Sequence, residues 1–293
     1  MKRKGIILAG GKGKRLYPIT KSINKQLLPI FNKPMIFYPL TTLLLAGIRD
    51  VLIITNTNEI ESFKILLGDG SHLGIKISYK EQKEALGVAH ALLISAEFIE
   101  NNEVALILGD NIFYGNRLMP LLRSQNQKLN FGAKIFVQKV KNPNQFGIVE
   151  FDSSNTVIGI EEKPNKPKSE YAVTGLYFYD NSVIKKAENV KISKRGEYEI
   201  TDINMQYLEE NSLEVEIINR GIAWLDTGTY ETMKEASNFI QAIENFQGLK
   251  IGCPEEVAWR LGLISNDQLA ILSRSYLGSE YGEYLCKILE DQK

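Results

Sequence analysis

The chain has 293 residues, with 35 Lys and Arg set against 35 Asp and Glu for a formal net charge of zero. That balance disfavours a dedicated nucleic-acid binder or a polybasic membrane protein, both of which carry a basic excess. Hydrophobic residues at 44% and charged residues at 24% exclude a disordered chain and suit one large or two medium domains.

The first element is a short apolar run, Lys4–Ala9, closing in Gly10-Gly11-Lys12-Gly13. This reads as a buried strand feeding a phosphate-sized loop. Pro34 is expected to open a helix through Leu45, with Gly47 as its stop. Val51–Thr55 reads as a second buried strand, Glu59–Leu67 as a helix and Lys76–Lys80 as a strand. A helix over Val88–Phe98 and an apolar strand at Val104–Leu108 follow, the latter ending in Gly109-Asp110-Asn111. Apolar rather than alternating strands, interleaved with helices, indicate a mainly parallel Rossmann-like α/β sheet flanked by helices. Ligands in such sheets sit at the carboxyl ends of the strands, where Gly10–Gly13 and Asp110 both fall.

The middle of the chain changes character. Lys134–Gln138, Gly147–Phe151, Val157–Glu162 and Tyr171–Tyr179 are close-spaced strands, an antiparallel insertion over about 132–222 that continues the sheet. Glu199–Glu210 and Tyr230–Glu244 read as helices, and Leu213–Ile218 and Ala223–Leu225 as strands. From residue 247 the pattern is helical only (Pro254–Leu261, Asn266–Leu272, Tyr281–Leu289). The expected organisation is a 1–246 catalytic domain and a 247–293 C-terminal helical appendage.

The charge balance is uneven. Met1 through Arg49 contains ten basic residues and no acidic one, leaving 25 basic against 35 acidic in the remainder. A basic opening on a neutral chain points to a local anion site. The basic start and Ile6–Ala9 are too short for a signal peptide, and no apolar stretch approaches a spanning length. With Cys253 and Cys286 too few for a disulfide framework, and His72 and His90 isolated from them, a cytoplasmic protein without a zinc cluster is expected.

The glycine loop is neither a P-loop, lacking its gap and its Lys-Ser/Thr ending, nor a dinucleotide fingerprint, lacking the third glycine. Its backbone N–H groups can approach a triphosphate, and Arg15 and Lys25 can neutralise one. Asp110 and Asp226, each after an apolar strand, offer the hard oxygen ligands that Mg²⁺ takes alongside water and phosphate.

Gly5-Ile6-Ile7-Leu8-Ala9-Gly10-Gly11 and Lys25-Gln26-Leu27-Leu28-Pro29-Ile30 resemble the opening of the sugar-phosphate nucleotidyltransferases. Leu106–Gly115, Glu161-Glu162-Lys163-Pro164, Tyr171–Tyr177, Glu199–Asn204 and Trp224–Gly228 are similar to the thymidylyltransferase branch acting on glucose 1-phosphate. The likeness spans essentially the whole chain. It implies an enzyme that joins glucose 1-phosphate to the α-phosphate of dTTP with Mg²⁺, giving dTDP-glucose and pyrophosphate, the first step of dTDP-rhamnose or other deoxysugar synthesis.

By that resemblance Leu8, Gly10, Gly11 and Gly13 hold the nucleotide, with Arg15 and Lys25 clamping its phosphates and Gln82 and Gly87 reading the base. Asp110 and Asp226 hold Mg²⁺. Lys163 binds the sugar phosphate and Glu162 a sugar hydroxyl; Asn111, Gly147, Val173 and Trp224 line the sugar pocket. Tyr114, Gly115, Arg220 and Arg260 fall at a second, regulatory site, and the appendage is implied in homotetramer contacts. Lys14, Phe146, Asn116 and the set Leu86, Val88 and His90 depart from the family pattern. Two rivals remain: the same chemistry on UTP or another sugar 1-phosphate, and a non-catalytic nucleotide-sugar sensor.

Overall fold

The computed structural model describes residues 3–127 and 132–291. In chain order the elements are β1 (Lys4–Ala9), β2 (Pro29–Ile30), β3 (Lys33–Pro34), α1 (Phe37–Leu45), β4 (Asp50–Thr55), α2 (Ile60–Leu67) and β5 (Lys76–Glu81). Then come α3 (Val88–Ile94), α4 (Ala96–Ile99), β6 (Val104–Leu108), β7 (Asn111–Gly115), α5 (Leu118–Gln127), β8 (Ala133–Lys139), β9 (Gly147–Phe151) and β10 (Val157–Glu162). The remainder is β11 (Tyr171–Tyr179), α6 (Val183–Glu188), α7 (Ile200–Glu209), β12 (Leu213–Ile217), β13 (Ile222–Asp226), α8 (Tyr230–Gln247), α9 (Pro254–Arg260), α10 (Asn266–Ser275) and α11 (Glu280–Glu290).

Nine strands form one sheet with β1 in the middle, parallel to both β6 and β4, and β5 parallel to β4. Alternate side chains of these apolar strands feed two cores, one on each face. Ile7, Ile53 and Ile107 enter one, and Ile6, Leu52 and Leu106 the other. In β11, Leu176–Tyr179 pairs antiparallel with β6, and its two ends, Tyr171–Val173 and Tyr177–Tyr179, pair with β8 across a register shift, so the inserted strands extend the sheet as expected. Because β1, β4, β5 and β6 run in parallel, Gly10, Asn56, Gln82 and Gly109-Asp110 all emerge at one edge.

Three features differ from the sequence expectation. Pro34 belongs to the β2–β3 ribbon, and α1 begins at Phe37. The helix expected over Val88–Phe98 is broken at Ser95, whose side chain donates back to Leu92 O at 2.8 Å. Asn111–Gly115, where no strand is expected, pairs antiparallel with β13 in a separate ribbon.

The C-terminal helices cover the sheet. Ala258, Trp259, Leu269, Leu285 and Ile288 are buried in the same core as Ile7, Leu40 and Phe63. The backbone of Leu263 approaches so closely that a Cβ on Gly74 would strike its carbonyl oxygen.

Glu244 near the end of α8 ties the appendage to the amino-terminal ribbon. Its carboxylate takes Lys33 Nζ at 2.7 Å, Ile251 N–H at 2.8 Å and Asn32 Nδ2 at 3.2 Å. Both partners of the Lys33 pair are almost wholly buried, and burial holds the Lys33 ammonium below its ordinary pKa despite Glu244. Removing one member of such a pair strands a charge in the interior. Glu244→Ala is therefore expected to cost about 3–5 kcal/mol of unfolding free energy, measured by urea titration; a change below about 1 kcal/mol would contradict it.

Candidate active site

A cleft of about 730 Å³ opens at the carboxyl edge of the sheet. Of the residues singled out from sequence, Arg15, Asp110, Asn111, Gly147, Glu162, Lys163, Val173, Trp224 and Asp226 line it. The two aspartates come from different parts of the chain and are brought together by the β7–β13 ribbon. Asp226 is paired with Asn111, and Thr227 donates twice to the Asp110 carbonyl, from N–H at 3.1 Å and Oγ1 at 2.7 Å.

Their electrostatics diverge. Burial opposes the charge on Asp110, but the Lys25 ammonium bonded to it, with Asn111 Nδ2 at 3.0 Å, holds its carboxyl below the usual range. Burial, reinforced by the neighbouring Asp110 charge, pushes Asp226 up to about 6, against the pull of Lys25 and Arg15. Two half-buried carboxylates side by side, one of them resisting ionisation, form a site that gains by taking a cation.

Arg15 lies over the turn after β13. A Cβ built on Gly228 would sit 2.6 Å from Arg15 Nη2 and 2.9 Å from Asp226 Oδ2. The guanidinium is the mobile end of a long side chain, so the fold can yield while the charge is displaced. Gly228→Ala is expected to leave stability within about 1 kcal/mol but to lower turnover about tenfold or more, since a small misplacement of a charged group is costly. Equal losses in both measurements would count against this separation.

The loop Gly10–Gly13 is held from below. Thr55 Oγ1 and Asn24 Nδ2 donate to Ala9 O at 3.1 and 2.9 Å, and Asn56 Nδ2 to Gly11 O at 3.2 Å. Gly11 has φ 100°, and no atom lies within 4 Å of where its Cβ would be, while its N–H donates weakly to Asn56 Oδ1 at 3.4 Å. Gly11 and Lys25 line an adjoining depression of about 210 Å³ with Lys12 and Lys21. Lys14 is exposed at the loop's surface, and Lys2 lies outside the described residues. Leu8, half-buried, is the penultimate residue of β1, and its carbonyl accepts from Gly109 N–H at 2.9 Å.

Gln82 borders the loop: its Oε1 sits 2.6 Å from where a Gly10 Cβ would be. Gly87 has φ 99° and its missing Cβ would meet Tyr198 O at 2.5 Å, so the turn before α3 requires glycine.

Also in the cleft lining, Thr201 Oγ1 donates to Glu162 Oε2 at 2.6 Å, and Arg195 Nη1 donates to Glu162 Oε1 at 3.1 Å. Gly147 lies against this pair. Lys163 has φ 45° although it is not glycine and precedes Pro164, and its N–H is pinned to Phe146 O at 3.0 Å. Such a backbone is sparsely populated and costly, and clusters at functional positions. Trp224 Nε1 donates to Asn111 Oδ1, and the Phe146 ring meets Trp224 edge-on at 5.3 Å.

Arg195, Thr201, Glu199 and Tyr177 also belong to the cleft or its hydrogen bonds and escaped the sequence reading. Thr201 and Glu199 sit in the Glu199–Asn204 segment already noted; Arg195, in a turn-like stretch, carries no sequence signal. Burial and then the Glu162 charge, against a Ser193 hydrogen bond, push the Glu199 carboxyl up. Tyr114, Gly115 and Arg220 lie elsewhere, at or beside the far end of the β7–β13 ribbon from the aspartates, with Tyr114 OH on Gln247 at 2.8 Å. Arg260 is on α9, paired with Glu256 at 2.7 Å.

The nucleotidyl transferase family matches residues 4–243. A glucose-1-phosphate thymidylyltransferase of Neisseria meningitidis is 53% identical over 98% of this chain and 99% of its own length. The Mycobacterium tuberculosis protein of that name matches at the same identity and coverage. The chain belongs to the nucleotidyl transferase family, in its glucose-1-phosphate thymidylyltransferase branch. Among solved structures the enzyme is similar to a Bacillus anthracis chain assigned to that branch and holding a sucrose. That likeness has TM-score 0.74 and 41% identity over 81% of this chain and 94% of that one. It is also similar to a UDP-glucose pyrophosphorylase complexed with UDP-glucose, with TM-score 0.71 and 25% identity, covering 83% and 100%. No helix among the described residues is long and apolar enough to cross a membrane.

Proposed function

We infer that the enzyme transfers a thymidylyl group from dTTP to α-D-glucose 1-phosphate, releasing pyrophosphate and forming dTDP-glucose. The observation that carries this is the cleft itself. Asp110, Asp226 and Arg15 line it together with Glu162 and Lys163, beside a glycine loop in which Gly11 leaves open space where a side chain would stand.

Among the described residues no three His, Cys, Asp or Glu side chains converge as a metal cage. A cation held by Asp110 and Asp226 would complete its shell with water and phosphate oxygens, the habit of Mg²⁺. The raised Asp226 carboxyl, half-buried beside a second carboxylate, fits that assignment. Bound there, Mg²⁺ supplies charge neutralisation for the phosphates.

The rest follows from the chain's own groups. The glycine loop takes the triphosphate, Gly11 by exchanging the weak 3.4 Å bond of its N–H to Asn56 Oδ1 for a phosphate oxygen, and Arg15 and Lys25 clamp it. Lys163 draws the phosphate of the sugar phosphate, while Glu162, fixed by Thr201 and Arg195, receives a sugar hydroxyl. A sugar-phosphate oxygen then attacks the α-phosphorus as the bond to pyrophosphate breaks. That oxygen is already anionic, so no nucleophilic or basic side chain is needed, and the task is to hold two anions in line.

Pyrophosphate release across dTTP and UTP, each with glucose 1-phosphate and a second sugar 1-phosphate, tests this. No release with Mg²⁺, dTTP and glucose 1-phosphate would sink it and favour a nucleotide-sugar sensor; a preference for UTP would reassign the nucleotide, since the two differ only by the base methyl and the 2′-hydroxyl.

Feedback by a nucleotide sugar at Tyr114, Gly115, Arg220 and Arg260 is part of the same reading. The ribbon joining Tyr114 and Gly115 to Asp226 supports it. So is a homotetramer built through the C-terminal helices, for which exposed Ile271 and Leu277 offer apolar surface. Inhibition by dTDP-rhamnose and the mass in solution check these two points.

A further inference from the structure

Gln82 follows β5 and extends its ladder, its N–H donating to Thr55 O at 2.7 Å. The residue is 3% exposed, and its carboxamide is held between two neighbours. On one side is the glycine loop at Gly10. On the other is His90 of α3, whose Nδ1 lies 3.3 Å from the Gln82 amide nitrogen.

A carboxamide has a donor end and an acceptor end, and a partner on one side decides which end faces the other. Here the partner is an imidazole that is itself held. The His90 ring stacks on Tyr198 at 5.9 Å and 22°. Tyr198 is bound to the same turn through its own backbone, donating to Leu86 O at 2.7 Å and accepting from Ala89 N–H at 3.2 Å.

We propose that His90 is a positioning residue that sets the orientation of the Gln82 carboxamide, so that recognition of the dTTP base requires His90 to be neutral. This rests on the reading of Gln82 as the base-recognising residue given above.

Neutral His90 with a bare Nδ1 accepts from the Gln82 NH₂ and leaves Oε1 for the nucleotide. Thymine and uracil present N3–H, a donor, and need that oxygen. An imidazolium donates from both nitrogens, so it claims Oε1 and turns the NH₂ toward the base. The turned amide opposes the thymine N3–H and suits cytosine, whose N3 accepts.

The groups facing His90 are Gln82 after β5, the Tyr198 ring, and Glu84 in the connecting loop, with Glu197 flanking Gly87. Burial lowers the His90 pKa and Glu84 works against it, so the ring is neutral near pH 7 and takes its proton only below the ordinary imidazole range.

The test is the pH dependence of kcat and KM for dTTP, with saturating glucose 1-phosphate and Mg²⁺, in the parent, His90→Gln, His90→Phe and Gln82→Ala enzymes. As pH falls from about 7.5 to about 5, KM for dTTP should rise at least about twofold more in the parent than in His90→Gln, with the two kcat profiles parallel. The comparison cancels titration of the substrates themselves. Use of dCTP relative to dTTP should rise over the same range in the parent alone. His90→Phe should show a raised KM without this pH component, restored toward parent by His90→Gln at about pH 7.5.

Superimposable KM profiles for the parent and His90→Gln would overturn the proposal, even if Gln82→Ala raises KM. A Gln82→Ala enzyme with unchanged KM for dTTP would instead remove the base-recognition reading beneath it.

Discussion

Replacing Asp226 by Asn should lower turnover by about 10²–10³-fold while leaving the metal-free protein at least as stable as the parent. The two effects have one cause. Asp226 is half-buried beside Asp110, and its carboxyl is pushed up to about 6, so the folded protein resists its ionisation. A carboxyl with a raised folded pKa contributes full stability below its unfolded pKa and loses it as pH rises through the folded one. At pH 7 without metal the parent therefore carries a cost on the order of 1–3 kcal/mol, which Asn removes.

Mg²⁺ reverses the comparison, because the ion stabilises only a protein that binds it. Thermal melting with and without Mg²⁺ should show the parent gaining and Asp226→Asn gaining little. A variant that turns over near the parent rate, or gains equally from Mg²⁺, would end the assignment of Asp226 as a metal ligand.

How much of this was legible depends on what each element needs. Val104–Leu108, Gly147–Phe151, Val157–Glu162 and Tyr171–Tyr179 have the bounds expected from sequence, because apolar runs between turn residues are local signals. The strand Asn111–Gly115 has no such run. Its register comes from Ile222–Asp226, more than a hundred residues away, and that pairing is what brings the two aspartates together. Pro34 carries a helix-start signal that the β2–β3 pairing overrides, and α1 begins without a side-chain cap. The period of the C-terminal helices was readable, whereas the surface they bury, shared with Ile7 and Phe63, was not.

The site divides in the same way. Glycines and aspartates at strand ends stand out because backbone approach and metal chemistry constrain residue type. The orienters of Glu162 do not: a threonine and an arginine 39 and 33 residues away meet it only after folding.

Lys25 and Lys163 carry the other large effect, and the structure separates what each loss does. Substituting Met at either position should reduce kcat/KM by about 10²–10³-fold, because each removes a preorganised charge from a reaction between anions. Their consequences for folding should differ. Lys25 is buried and bonded to Asp110, so Lys25→Met strands a carboxylate that its ammonium had held below the usual range. Asp110 keeps some exposure, 20% of its side chain, which places the expected loss near about 1–3 kcal/mol at pH 7.

The sign with pH follows. A depressed carboxyl contributes stability above its unfolded pKa and loses it as pH falls through the folded one, so the deficit of Lys25→Met should shrink in acid. Lys163 instead has a 40% exposed side chain 3.9 Å from Glu162, and Lys163→Met should change stability by less than about 0.5 kcal/mol. Urea unfolding at neutral and acid pH beside steady-state kinetics makes the comparison. Mg²⁺ should recover part of the Lys25→Met deficit by supplying the positive charge that Asp110 has lost. If Lys163→Met unfolds as readily as Lys25→Met, or Mg²⁺ leaves the latter unchanged, Lys25 is not the cation that balances Asp110.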